Sequence, residues 1–260
     1  MDIPLPLVDI NQGKSIREIL MKFNNKIAMI VSVVAGTLLS QESMALQAGD
    51  NAVYVGGAYV MPSGSISALN SSGPAGPTFN TITPGTTATI QNASTFIASY
   101  FHMFSDNIGA ELTVGSPVSM KIDMTVPNAG KSVTSAAKTD ASFPSIVVKY
   151  LFNAPSDAFR PFLGLGLNYT YFNNTSASSD ALVQELAGSS QSLSSSWNPV
   201  FNAGGIYTLN DHWSLNFGVS YVPMSSNVTF SGSGPGTGTT TTGKLTINPT
   251  DVTFKVGYKF

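Results

Sequence analysis

Residues 250–260 alternate without a break. Val252, Phe254, Val256, Tyr258 and Phe260 fall on one side of an extended chain; Asp251, Thr253, Lys255, Gly257 and Lys259 fall on the other. A period of two is the period of a β-strand. Residues 212–222 repeat the pattern, with Trp213, Leu215, Phe217, Val219 and Tyr221 against His212, Ser214, Asn216, Gly218 and Ser220. So do residues 159–172, with Leu163, Leu165, Leu167, Tyr169 and Tyr171 against Arg160, Gly164, Gly166, Asn168 and Thr170. In 108–116, Ile108, Ala110, Leu112 and Val114 oppose Gly109, Glu111, Thr113 and Gly115. With 52–62, 95–104, 143–152 and 197–209 these make eight strands. The first two, 52–62 and 95–104, alternate less cleanly, and the sequence leaves their register open.

The connections alternate too. Residues 105–107, 153–158 and 210–211 are tight, whereas 63–94, 117–142, 173–196 and 223–249 are long and rich in Gly, Ser, Thr, Pro and Asn. Loops of that length are uncommon in a compact domain. Here each falls between an odd strand and the next even one, so all four lie at one end. A sandwich has no reason to do this. An up-and-down barrel in an outer membrane does, with short turns in the periplasm and long loops outside.

Side-chain size sets which face looks where. The polar rows are small and glycine-rich, the apolar rows bulky, and an eight-stranded barrel has little room within. The bulky rows are therefore expected outside, in lipid, where a closed sheet also pairs every backbone polar group. The fold class predicted is all-β, an eight-stranded antiparallel up-and-down transmembrane β-barrel with long extracellular loops and short periplasmic turns. Glu111, Lys149, Arg160, Asp251, Lys255 and Lys259 then lie inside, mixed in sign and able to pair, as buried charges must be; Arg160 and Lys259, near strand ends, are alternatively beyond the hydrocarbon. Trp213 at the periplasmic end and Tyr169, Tyr171 and Tyr221 toward the outside fit interfacial belts.

Composition agrees. Only 10% of residues are charged, against roughly 25% in a typical soluble domain. A net charge of -2 argues against a nucleic-acid partner. The chain has no cysteine, which excludes thiol catalysis and every cysteine metal site. At the N-terminus, residues 21–26 are basic, 27–39 are apolar, and Ser43, Met44 and Ala45 form a small-x-small cleavage site. That is the layout of a secretory signal. The expected organisation is an upstream extension at 1–20, a signal peptide at 21–45 and a barrel at 46–260.

Several stretches together resemble the OmpW family of outer-membrane proteins. Residues 159–172, with Arg160-Pro161-Phe162-Leu163-Gly164-Leu165-Gly166-Leu167, carry the most specific match, and 105–117 a fairly specific one. Residues 210–216 and 256–260 also fit, and 51–62 matches in general style. The loops 63–94 and 225–249 depart from the family in length and Ser/Thr/Gly content. The family pattern implies a short helix at 179–187. The chain is also similar to outer-membrane barrels in ending on an aromatic, Phe260, which implies recognition by the barrel-insertion machinery. The resemblance implies residence in the bacterial outer membrane, among lipids and lipopolysaccharide, and passage of small hydrophobic compounds through a narrow apolar funnel with a sideways exit into the bilayer. Val60, Phe96, Val147, Phe172, Trp197 and Val222, at the outer strand ends, are the residues expected to line such a vestibule or simply to fill the barrel end.

Two other classes remain. The loops look flexible and exposed, which suits an anchor for an adhesin, shield, or phage or toxin receptor. An enzyme needs an acid, base or nucleophile constellation. The sequence offers only His102 and His212, no G-x-S-x-G and no H-E-x-x-H. Asp106 and Asp211 read as turn residues. The expectation is a non-enzymatic barrel with no catalytic, cofactor or metal site, standing as a monomer.

Overall fold

The computed structural model describes residues 45–260, so the upstream extension and all of the signal segment except Ala45 lie outside the described residues. The eight barrel strands are β1 (Asn51–Met61), β2 (Ala93–Met103), β3 (Ile108–Gly115), β4 (Ser145–Leu151), β5 (Phe159–Ala177), β6 (Ser196–Thr208), β7 (Trp213–Tyr221) and β8 (Thr250–Lys259). Each pairs antiparallel with its sequence neighbours, and β8 pairs back onto β1, from Ala52 opposite Lys259 to Met61 opposite Thr250. The sheet is closed, so each barrel strand has a paired neighbour on both sides.

The alternation fixes the faces as expected. Val53, Val55, Leu112, Leu163, Leu165, Leu167, Phe201, Phe217, Val219, Val252 and Phe254 all lie exposed on the outer wall. Soluble monomers rarely expose so continuous an apolar surface; a barrel in hydrocarbon requires it. Trp213, Tyr171 and Tyr221 are exposed near strand ends, and Tyr169 packs on Trp197 with ring centroids 4.9 Å apart. The registers left open by the sequence are settled: Ala52, Tyr54, Ala58 and Val60 of β1 and Ser99, Phe101 and Met103 of β2 point inward.

The interior is not filled by modest side chains alone. Its periplasmic half holds Tyr54, Phe101, Met103, Leu151, Phe162 and Ile206, packed with Leu46. The inward glycines explain how they fit. A Cβ at Gly257 would lie 2.2 Å from the Tyr54 ring, one at Gly109 2.6 Å from the Phe101 ring, and one at Gly204 2.7 Å from the Phe162 ring. The small rows are the sockets of large rings reaching across from neighbouring strands.

Tight turns close the periplasmic end. Asn210 Oδ1 accepts from the amides of His212 and Trp213 at 3.0 and 2.9 Å. Asp157 accepts from Ala154 N at 2.9 Å, and Asp106 from Ala48 N at 3.0 Å.

The long loops differ from the flexible coils expected. Residues 118–126 and 131–142 form a hairpin that pairs with Thr87–Ile90 on one side and with the outer extension of β5 on the other. Residues 225–231 and 240–246 form a second hairpin that pairs with Ser190–Leu193, Ser65–Ile66 and Asn70–Ser72. Two short helices complete the cap: α1 (Gly76–Ile82), unforeseen, and α2 (Ala181–Ala187), within the stretch the resemblance implied. The Ser, Thr and Asn content that reads as disorder supplies these small sheets with cross-strand hydroxyl bonds such as Ser71 Oγ to Thr241 Oγ1, 2.7 Å.

Candidate functional site

The inner wall of the barrel is layered. The lowest layer is the aromatic floor of Tyr54, Phe101 and Phe162. On it sit three charges. Glu111 accepts from both Lys149 Nζ and Lys255 Nζ, and all three are almost wholly buried, at 3%, 2% and 4% exposure. Lys149 Nζ stands 4.0 Å from the Phe162 ring centroid, and Lys255 Nζ 5.6 Å from that of Tyr54. Cation–π attraction adds to the ion pairs where water is excluded. Lys255 also donates to Ser99 Oγ at 3.2 Å. The group links β3 and β4 to β8 across the bore.

Of the other interior charges, Arg160 and Lys259 lie at the periplasmic mouth. The Arg160 guanidinium donates to the carbonyls of Leu46, Asp106, Phe152 and Asn153, tying the entering chain to two turns. Lys259 pairs with Asp50 at 3.3 Å. Asp251 stands on the far side of this charge group, and its Oδ1 has no hydrogen-bond partner.

Above the charge group lies a lumen cavity of about 100 Å³. Its lower wall is Glu111, Lys149, Lys255 and Asn216; its upper wall is Val60, Phe143, Val147 and Val200, with Asp251 at the join. The valines continue upward into a buried apolar cluster that closes the outer mouth, with Val222, Ile90, Met120, Met224 and Leu245. Beyond it, an almost wholly apolar cavity of about 70 Å³ lies between the two outer sheets, walled by Ile122, Met124, Leu186, Val183, Phe230 and Leu245 and covered by α2.

The structure brings four of the six expected vestibule residues together. Val60, Val147 and Val222 belong to the apolar cluster, and Phe172 packs against it. Phe96 and Trp197 do not join them. Both sit at outward positions of their strands, 82% and 70% exposed, so strand parity turns them to the outer wall. His102 contacts Asn51, Nδ1 to Oδ1 at 2.9 Å, on the periplasmic side.

Sequence reasoning missed a gap in the wall. The β3–β4 ladder ends at Thr113 opposite Ser145, and pairing resumes only at Val118 opposite Ala141 in the outer hairpin. Between them, Val114, Gly115, Ser116, Ser142 and Pro144 bond to their other neighbours: Ser116 N donates to Phe96 O at 2.9 Å, and Pro144 O accepts from Tyr169 N at 3.0 Å. Pro117 and Pro144 each lack the amide that a ladder bond needs, and that pair of prolines was the available signal. Ile97, Gly115 and Ser116 line both the lumen cavity and a groove on the outer wall beside Val55, Phe96 and Val114. Gly115 and Ser116, at the end of β3 beside the gap, thus border both the lumen cavity and an outer-wall groove that lies over β1, β2 and β3.

This architecture has known counterparts. Outer membrane protein W of Vibrio cholerae serotype O1 is 33% identical over 159 residues, covering 61% of this chain and 70% of that protein. Outer membrane protein W of Escherichia coli K12 is 27% identical over 232 residues, 89% of this chain and 98% of its own. The crystal structure of OprG from Pseudomonas aeruginosa superposes with a TM-score of 0.72 at 26% identity, covering 84% of this chain and 99% of that one. A family model described as OmpW family matches residues 47–260. The chain is an outer-membrane barrel and belongs to the OmpW family.

Proposed function

We propose that this barrel passes small hydrophobic compounds across the outer membrane, taking them in at the extracellular cap and releasing them sideways into the bilayer at the β3–β4 gap. One observation carries this reading: apolar lining runs from the outer cavity through the capping cluster to a lumen cavity that shares Ile97, Gly115 and Ser116 with the lipid-facing groove. The straight route to the periplasm leads past the buried Glu111–Lys149–Lys255 group, and a sideways exit avoids it. An apolar solute gains nothing by crossing a layer of buried charge, whereas leaving into lipid tails exchanges one apolar environment for another. The cluster is closed by side chains, so passage requires the loops to move apart transiently. Lipid and lipopolysaccharide surround the protein in this reading.

The test is uptake of a labelled alkane by cells expressing the wild type, a Ser116→Trp variant or neither. Ser116 is exposed at the gap, so an indole there fills the opening without entering a packed core. Wild-type cells should take up label faster than cells without the barrel, and Ser116→Trp should return the rate to the barrel-free level. Equal rates in wild-type and barrel-free cells would refute passage; unimpaired uptake by Ser116→Trp would refute the exit.

A further inference from the structure

The apolar cavity between the two outer sheets is walled by two kinds of element. Val183, Leu186 and Ala187 reach it from α2, and all three are buried. Apart from Leu69, every other residue around it belongs to a strand of those sheets. A strand is held by its ladder and leaves only by breaking several backbone bonds at once. The helix is held differently. The chain leaves the first sheet at Ser178, whose amide donates to Ala136 O at 2.9 Å, and enters the second at Ser189, whose amide donates to Ser231 O at 2.9 Å. Between these points, one backbone bond reaches another part of the described chain, from Ser233 N to Gln184 O at 2.9 Å. Three side-chain contacts add to it: Ser233 Oγ donates to the same carbonyl at 2.9 Å, Gln191 Nε2 donates to Ala187 O, and Lys131 pairs with Asp180 at 2.8 Å. That ion pair is partly exposed, and exposed pairs hold weakly. The Glu185 carbonyl rests on a seat of glycines, where a Cβ at Gly232 or Gly236 would lie 2.0 or 1.9 Å from its oxygen. Leu186 and Ala187 pack beside it on Phe79 of α1.

We propose that α2 is the lid of this cavity and the gate for entry: it swings outward between Ser178 and Ser189, off the loop 232–238, and admits the hydrophobic compound from outside. The inference rests on the passage proposed above and names the part that regulates it. Hinges are short segments that absorb a change in backbone angles, and here Ser178-Ser179 and Gly188-Ser189 flank the helix. Seven residues of helix span about 10 Å, and their swing uncovers the cavity without breaking either sheet. The open state turns Val183, Leu186 and Ala187 toward water, which disfavours it while the cavity is empty. An apolar compound in the opening covers the same side chains. It therefore binds the open state better than the closed one and shifts the balance toward opening.

The experiment locks the lid reversibly. The chain has no cysteine, and the side chains of Gln184 and Ser233 already meet, Oε1 to Oγ at 3.4 Å. A Gln184→Cys/Ser233→Cys variant on cells is joined by a short, membrane-impermeant bifunctional thiosulfonate and freed again by reductant. Joined, its uptake of labelled alkane should fall to the barrel-free rate; reductant should restore it. Either single-cysteine variant, treated alike, should keep its rate. A second readout needs no transport. In lipid nanodiscs, the amides bonded within α2 should exchange with deuterium about tenfold faster than those of residues 225–231 in the sheet beside it. Undiminished uptake by the joined variant, or equal protection of α2 and the sheet, would overturn the lid and leave hydrophobic passage standing. Wild-type uptake no faster than that of barrel-free cells would overturn passage, and the gate with it.

Discussion

Replacing Glu111 by Gln keeps the shape of the central charge group and removes its negative charge. Lys149 and Lys255 then remain buried, each on an aromatic ring, with no carboxylate between them. Removing one partner of a buried ion pair typically costs about 3–5 kcal/mol, because the orphaned charge stays desolvated. One substitution here orphans two ammonium groups, so the upper part of that range applies. Domains of this size have total stabilities of about 5–15 kcal/mol, making the loss a large fraction of the whole. With a slope of about 2 kcal/mol per molar urea, the unfolding midpoint should fall by about 2 M. The assay is urea unfolding from lipid vesicles, read by the fluorescence of Trp197 and Trp213, the chain's two tryptophans. Both lie on the outer wall and lose their lipid surroundings when the barrel opens. The control is a triple variant, Glu111→Leu with Lys149→Met and Lys255→Met. Replacing a whole buried charge group with apolar residues is often neutral or stabilising by about 1–4 kcal/mol, so the triple should recover the midpoint or exceed it. A Glu111→Gln midpoint within about 0.5 M of wild type, or a triple variant as unstable as the single, would refute the electrostatic origin of the effect.

Two further outcomes follow from particular contacts. Gly257→Ala places a Cβ 2.2 Å from the Tyr54 ring and should destabilise by about 1–3 kcal/mol through overpacking; combining it with Tyr54→Ala in the same urea assay should show strong non-additivity, and simple addition would disprove the socket. Asp180 caps α2 by accepting from the amides of Leu182 and Val183 at 3.0 and 3.4 Å and pairs with Lys131 at 2.8 Å. The hydrogen bond from Lys131, opposed by slight burial and helped by those amides, holds its carboxyl below the usual carboxylate range. A lowered folded-state value means that this stabilisation is complete above the ordinary carboxylate range and lost as pH falls through the lowered one. Hydrogen-exchange protection of α2 should therefore drop on acidification more in the wild type than in Asp180→Asn, and identical profiles would count against the cap.

The strands were legible because lipid enforces a clean apolar row on one face over most of their length. Strands β3, β5, β7 and β8 show it from Ile108 to Phe254, and the alternation of loop lengths placed all four long loops at one end. Strands β1 and β2 were harder for a physical reason. Their inward rows carry Tyr54, Phe101 and Met103 of the plug, while their outward rows carry Gly57 and Ala98, so hydropathy does not separate the faces. Phe96 and Trp197 were misplaced for the same reason: an aromatic near a strand end suits either side until register decides. The cap was illegible because its sheets depend on pairings between distant loops, such as Thr240 with Ser72 and Leu245 with Ile66, whose Ser/Thr strands carry little periodic signal. Of the candidate site, the charges were found by parity; the Glu111 bridge and the interrupted ladder required knowledge of which strands face each other across the bore.

The inside-outside division of the wall can be measured on β8. The chain has no native cysteine, so single cysteines at Asp251, Val252, Thr253, Phe254, Val256 and Tyr258, spin-labelled in lipid vesicles, report each position without background. Labels at Val252, Phe254, Val256 and Tyr258 should collide with lipid-dissolved oxygen, and those at Asp251 and Thr253, which line the lumen cavity, should be shielded from it. Oxygen accessibility that peaks at the odd positions, or runs level along the strand, would contradict the barrel described.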